Sequence, residues 1–246
     1  MNHWEMTDIG LVRKENQDAY AVQESVAGVY TVGVVCDGMG GTAGGRIASD
    51  IAVRTYTQTL AEQLKAGMTP EELERASAAA VSAANRAICE AAATLENCDS
   101  MGTTLVSAIL YPGGAVVTNV GDSRAYQAGP EGIRRITKDH SLVENMIDRG
   151  DITAEEARHH PGRNLITRAL GPDANAACDC YCCTMEQGTF ILLCSDGLVN
   201  TVTDQEMLFE ILHGGELSGC LSRLLDISKQ HGAPDNVTAV LLTNQR

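Results

Sequence analysis

The strand-like runs at 103–111 and 115–120 are joined only by Pro112-Gly113-Gly114. A parallel crossover needs about a dozen residues or more, so a link this short makes its strands antiparallel neighbours. The Gly121-Asp122 step is shorter still and predicts another antiparallel hairpin, to the run at 123–127. Similar runs at 19–23, 29–36, 189–195 and 236–243 are rich in Val, Ile, Thr and Tyr and bounded by glycine, proline or aspartate. Such links argue against a parallel, doubly wound sheet and for two mainly antiparallel ones.

Helical signals are grouped apart from these strands. One helix is expected to begin near Gly45, and a second after Thr69, where Thr69, Pro70 and Glu72 make a capping box with proline in the first turn. Leu73, Ala76, Ala80, Ala84, Ile88, Ala91 and Leu95 then step by three or four, giving a narrow face for close pairing with another helix. A second pair opens at Thr203-Asp204-Gln205-Glu206 and runs on from about Glu216 to Lys229. Two helix pairs outside two face-to-face sheets predict an α+β fold, a four-layer α-β-β-α sandwich. The polar segment 144–163 has a capping box at Thr153 to Glu156 and turn residues at Gly150, Pro161 and Gly162, and is expected to form a flap. The whole of 1–246 is read as a single domain, expected to be a monomer.

Composition narrows the partners. Lys and Arg total 18 against 32 Asp and Glu, a formal charge of −14 that repels nucleic-acid backbones. The longest apolar runs fall far short of the roughly 20 residues of a membrane span, and the first residues carry no basic segment followed by an apolar stretch, so neither a membrane anchor nor a secretory signal is expected. Nine cysteines, an odd number, then point to a reducing compartment and a cytoplasmic location. Cys178, Cys180, Cys182 and Cys183 lack the two separated pairs of a zinc site and are read as small apolar strand residues. Alternation turns Cys183 away from the other three.

Asp37, Asp122, Asp196 and Asp235 each stand beside a tight-turn residue where an apolar run ends or begins, and Asp18 stands just before another run. Carboxylates gathered at strand ends cannot all stay ionised unless cations sit among them, and an all-oxygen set suits Mg²⁺ or Mn²⁺ rather than zinc. Two such ions activate water and clamp an in-line displacement at phosphorus. Arg13, read as lying on the strand that leads into Asp18, offers a planar fork for two phosphate oxygens. Gly38, Gly40 and Gly41 let backbone approach the ions, so that a carbonyl there is a candidate ligand.

These motifs, in order, resemble those of the metal-dependent protein phosphatases, also called phosphatase type 2C. The matching segments are TDIGLVRKENQDAY at 7–20, VVCDGMGG at 34–41, GTTL at 102–105, NVGDSRAY at 119–126, ITKDHSL at 136–142, LITRALG at 165–171, LLCSDGL at 192–198 and DNVTAVLL at 235–242. The resemblance implies hydrolysis of phosphoserine and phosphothreonine in proteins, by direct attack of a hydroxide bridging two Mn²⁺ or Mg²⁺ ions. It assigns Asp37 as the bridging ligand, Asp196 and Asp235 to one ion, the Gly38 carbonyl to the other, and Asp18 to bound water. Asp122 with Asp196 would hold a third, weaker ion, and Arg13 the substrate phosphate. Bacterial members often oppose a Ser/Thr kinase, which makes one a candidate partner.

Met39 stands where eukaryotic members have a histidine and Gln17 where they have a glutamate, a pattern that resembles the bacterial branch. Thr42 replaces a histidine common in bacterial relatives. His140 is expected to cap the helix opening at Ser141, and His159 and His160 to be solvated surface. A catalytically silent binding module and a hydrolase of small phosphoesters are the competing readings.

Overall fold

The computed structural model describes residues 2–96, 98 and 100–244, with side chains except at 41–43. The chain runs β1 (Asn2–Asp8), β2 (Asp18–Val26), β3 (Tyr30–Met39), α1 (Gly41–Gln63), α2 (Pro70–Ala92), β4 (Gly102–Thr103), β5 (Leu105–Tyr111), β6 (Gly114–Val120), β7 (Arg124–Gly129) and β8 (Gly132–Arg135). It continues through α3 (Leu142–Arg149), α4 (Ala154–His159), β9 (Asp179–Thr184), β10 (Phe190–Cys194), α5 (Asp196–Val199), α6 (Asp204–Leu212), α7 (Cys220–Gln230) and β11 (Val237–Thr243). One sheet has the order β1-β11-β10-β7-β8 and the other β2-β3-β5-β6-β9, with β4 paired to β3. Every pairing is antiparallel.

Three apolar layers make this the expected α-β-β-α sandwich. Val35, Val106, Val117, Ile191, Leu193 and Val240 fill the space between the sheets. Val32, Val34, Leu105 and Ile109 face α1 and α2 instead, while Leu192, Leu241 and Val237 face α6 and α7. Strands covered on both faces have no polar side to show, which is why FILLC and VTAVLLT are buried at every position. All three expected capping boxes form, at Thr69, Thr153 and Thr203.

Several expectations need correction. Gly121-Asp122 does not close a hairpin: β6 lies in one sheet and β7 in the other, so this link carries the chain across the sandwich. Gly121 makes the turn at φ 104°, and a Cβ there would lie 2.6 Å from Thr104 Cγ2. Strands β1 and β8 join the edges of their sheet without having been expected, and β9 holds three of the four clustered cysteines. Leu95 lies beyond α2 and is exposed. His140 is not a cap: Ser141 is, accepting from the Glu144 N–H. Arg13 lies in the 9–17 loop between β1 and β2, not on a strand. No helix among the described residues is long and apolar enough to cross a membrane.

Candidate active site

The two sheets deliver the aspartates to one edge of the sandwich. Asp18 opens β2 and pairs in register with Asp37 on β3, placing two carboxylates opposite each other on adjacent strands. Like charges so placed repel, and the surrounding backbone holds them there. The Asp37 N–H donates to Thr104 Oγ1 (2.9 Å), and its carbonyl accepts from the Thr104 N–H (2.9 Å) and Thr103 Oγ1 (2.8 Å). From the other sheet, Asp196 follows β10 as the first residue of α5, and Asp235 stands two residues ahead of β11. Asp122 stands on the crossing link.

Gly38 is required by packing. A Cβ there would lie 2.1 Å from the Gly45 carbonyl oxygen and 2.6 Å from that of Gln17, so α1 seats its first turns directly on the end of β3. The Gly38 N–H donates to the Gln17 carbonyl at 3.2 Å. The 9–17 loop is held by a residue that the sequence reading passed over. Asn236 donates from Nδ2 to the carbonyls of Ile9 and Glu15 (3.0 Å each) and accepts from the Gln17 N–H at 2.8 Å. Its only sequence signal is its place beside Asp235 ahead of an apolar run. Arg13 thereby reaches the cluster, with Nη2 donating to Asp235 Oδ2 at 2.6 Å while the side chain stays about half exposed.

These residues line a cavity of about 530 Å³ that includes Arg13, Asp37, Gly38, Asp122, Asp196 and Asp235. Asp18 lies behind the wall, 5% exposed, with Oδ2 accepting from Ser195 Oγ at 2.8 Å. The seven predicted site residues are therefore gathered in one place. Met39 also lines the cavity, and no histidine does among the described residues. His159 is exposed near Glu155, and His160 Nδ1 accepts from the Gly162 N–H. The Thr42 side chain lies outside the described residues.

Burial and mutual repulsion hold the carboxyls toward their protonated forms. Desolvation, then the charges of Asp196 and Asp235, push Asp18 up to about 6 against the hydrogen bonds from Thr238 and Ser195. Asp122 is pushed up to about 7 by burial and by Asp196 and Asp139. Asp37 is raised well above the carboxylate range by burial and its four acidic neighbours. Asp196 is raised by burial and Asp235, although a hydrogen bond with Asp37 pulls the other way.

The donor set fits divalent cations. Asp18 Oδ1 and Asp196 Oδ1 are buried without a hydrogen-bond partner, an expensive arrangement for carboxylate oxygens unless an ion takes them up. Among the described residues no group of three or more His, Cys, Asp and Glu side chains forms a ready-made metal cage.

Comparison with known proteins places this architecture. Residues 12–236 match the family model described as protein phosphatase 2C. The serine/threonine phosphatase stp of Listeria monocytogenes is 35% identical over 236 residues, covering 96% of this chain and 93% of that protein. A crystal structure of a bacterial serine phosphatase superposes with a TM-score of 0.91 at 30% identity, covering 100% of both chains. The catalytic domain of the serine/threonine protein phosphatase PstP, solved in complex with two manganese ions, gives a TM-score of 0.82 at 31% identity over 98% of this chain and 96% of that one. The chain belongs to the protein phosphatase 2C family.

Proposed function

We propose that this protein is a metal-dependent phosphatase for phosphoserine and phosphothreonine in proteins, whose carboxylates would hold two Mn²⁺ or Mg²⁺ ions that activate water for direct attack at phosphorus. The observation that carries this reading is the convergence of four carboxylates and one half-exposed guanidinium on one cavity, with a fifth carboxylate, Asp18, behind its wall and two of the five carrying orphaned buried oxygens. Its relatives are named serine/threonine phosphatases, and one neighbour is solved with two manganese ions. Two such ions supply, when bound, a water acidic enough to attack phosphorus at neutral pH and positive charge for the phosphoryl oxygens.

The chain's own residues divide the remaining work. Asp37, Asp196, Asp235 and the Gly38 carbonyl would hold two ions, Asp18 would act from behind Asp37 through bound water, and Asp122 with Asp196 would hold a third. Arg13 exchanges its partner Asp235 for the substrate phosphate, whose two oxygens match its fork. Segment 144–163 is the flap, built of α3 and α4. The protein works as a single-domain cytoplasmic monomer that opposes a Ser/Thr kinase.

The test is phosphate release from a phosphothreonine peptide with Mn²⁺ and with EDTA, for wild type, Asp37→Asn and Arg13→Ala. Turnover must require metal, collapse in Asp37→Asn and show weakened peptide binding in Arg13→Ala. Wild-type protein that binds Mn²⁺ yet releases no phosphate from a panel of phosphopeptides would overturn the reading. Equal or faster hydrolysis of free nucleotides would move the substrate class to small phosphoesters.

A further inference from the structure

The four clustered cysteines are not equivalent. Cys183 is buried on the opposite face of β9, and Cys182 is exposed, its thiol 3.1 Å from Glu74 Oε1. Burial and that carboxylate push the Cys182 thiol up to about 11. Cys178 and Cys180 are both half-buried and lie two residues apart, with Cys178 packed against the apolar layer under α1 and α2. Cys180 Sγ also lies 3.6 Å from Thr118 Oγ1.

Thr118 ends a chain of buried hydroxyls. Ser107 to Tyr56, Tyr56 to Ser77 and Ser77 to Thr118 are each 2.6 Å apart. Oriented from Ser107 outward, every hydroxyl donates to the next and the last donates to the Cys180 sulfur, which stabilises a thiolate there. Cys178 and then Thr118 hold the Cys180 thiol down to about 7 despite its burial, while Cys178 itself is raised. A thiol held by a hydroxyl at the end of a buried chain, with a second half-buried thiol two residues away, is the arrangement of an attacking cysteine and its resolving partner.

We propose that Cys178 and Cys180 are a reversible oxidation site, a dithiol that hydroperoxides convert to an intramolecular disulfide. The Cys180 thiolate attacks one peroxide oxygen: an S–O bond forms, the O–O bond breaks, and the departing hydroxide leaves as water after taking a proton. Cys178, giving up its proton, then attacks the Cys180 sulfur: the S–S bond forms, the S–O bond breaks, and a second water leaves. Two thiols are oxidised, one hydroperoxide is reduced, and an external dithiol reverses the change by exchange.

The disulfide has a structural consequence. Residues two apart in extended chain have Cα atoms roughly 6.5 Å apart, near the upper limit of about 6.8 Å for a disulfide. Closure therefore puckers the chain at Asp179. That residue's carboxylate accepts from His140 Nε2 and from Arg168 Nη1, both at 3.1 Å. His140, only 6% exposed, uses Nδ1 to accept from the Gly121 N–H at 3.1 Å, which leaves its proton on Nε2 for Asp179. Withdrawing Asp179 loosens His140 and with it the Gly121-Asp122 link, so oxidation is felt at the edge of the aspartate cluster.

The experiment treats the full chain with hydrogen peroxide at neutral pH, blocks the remaining thiols, and maps the cysteines by mass spectrometry after digestion with two proteases. The expected product is one disulfide, Cys178 to Cys180, in wild type and in Cys182→Ser. In Cys178→Ser, dimedone should label Cys180 as a sulfenic acid. Before oxidation, Cys180 should be alkylated at pH 7 roughly tenfold or more faster than Cys182, as its larger thiolate fraction requires. Amide exchange at Gly121 should accelerate on oxidation in wild type and stay unchanged in Cys180→Ser. A wild-type map in which Cys182 or Cys183 reacts ahead of Cys180, or in which no Cys178–Cys180 bond forms, overturns the proposal whatever the variants do.

Discussion

Without divalent cations, this fold carries a penalty that grows with pH, and the size of the penalty follows from the site. Asp18 moves from 3.8 unfolded to about 6 folded, and Asp122 from 3.8 to about 7. Asp37 and Asp196 move in the same direction. The folded state thus binds more protons than the unfolded chain between about pH 4 and 7, and stability falls as pH rises through that window. At about 1.4 kcal/mol per tenfold change in proton affinity, Asp18 contributes about 3 kcal/mol and Asp122 about 4 kcal/mol. The carboxyls interact, so their sum is an upper bound, and about 5 kcal/mol is the working value. About 3 kcal/mol of that falls between pH 5 and pH 8, because part is already lost between pH 4 and 5, and for a domain of this size it lowers Tm by roughly 6–12 °C over that range. Carboxylates held below their ordinary range, such as Asp8 and Asp179, act in the opposite sense but only at lower pH. Melting by circular dichroism in EDTA across pH 5–8 measures the effect. Excess Mn²⁺ should cancel it, because ions bind the deprotonated cluster and stabilise more as pH rises. A melting temperature in EDTA that is flat or rising over this window would refute the reasoning.

Asp37→Asn should separate stability from activity: in EDTA at pH 8 the variant melts several degrees above wild type, while Mn²⁺-dependent phosphate release falls by at least about a thousandfold. Gly38→Ala drives a methyl against the Gly45 and Gln17 carbonyls and should cost about 3 kcal/mol or more in urea unfolding. Asn236→Ala leaves three backbone groups of the 9–17 loop without their partner, so peptide KM should rise more than kcat falls, with a stability loss of about 2 kcal/mol. Tyr56→Phe removes the hydroxyl joining Ser77 to Ser107 and should cost about 1–3 kcal/mol by the same measurement, with alkylation of Cys180 slowed as the hydroxyl chain is cut.

What could be read from the chain depended on how far apart in sequence the partners lie. The β5–β6 hairpin was legible because Pro112-Gly113-Gly114 and the strands it joins are contiguous. The Gly121-Asp122 step was misread because a two-residue link looks the same whether it closes a hairpin or crosses between sheets. What decides is the partner of β7, and that is β10, where Arg124 pairs with Cys194. β1 escaped notice for a similar reason: an edge strand of half-exposed residues has little apolar signal, and its partner β11 lies at the far end of the chain. The aspartates were legible one at a time, each beside a turn residue and an apolar run. The orphaned oxygens, the Arg13–Asp235 ion pair and the Asn236 clamp were not, because each is a distance between segments that no spacing encodes. The role of His140 likewise hangs on Asp179, far along the chain, rather than on the neighbouring Ser141.

The placement of the carboxylates would give bound cations a structural role as well as a chemical one. Asp18 and Asp37 belong to one sheet, Asp196 and Asp235 flank strands of the other, and Asp122 sits on the link between them. The apolar layer between the sheets is made of Val, Leu, Ile and Ala side chains contributed by the strand bodies, and at the edge where the aspartates meet that adhesive is replaced by like charges. Hydrophobic burial cannot hold that edge closed at neutral pH, since desolvation and repulsion both act against it. The hydrogen bond from Ser195 to Asp18 crosses it, satisfying one carboxylate oxygen and leaving Asp18 Oδ1, like Asp196 Oδ1, for an ion. Cations ligated from both sheets, as proposed above, would therefore brace the sandwich where its core is weakest. Because substrate phosphate must be clamped at that same edge, rigidity there arrives together with the charge that the chemistry needs.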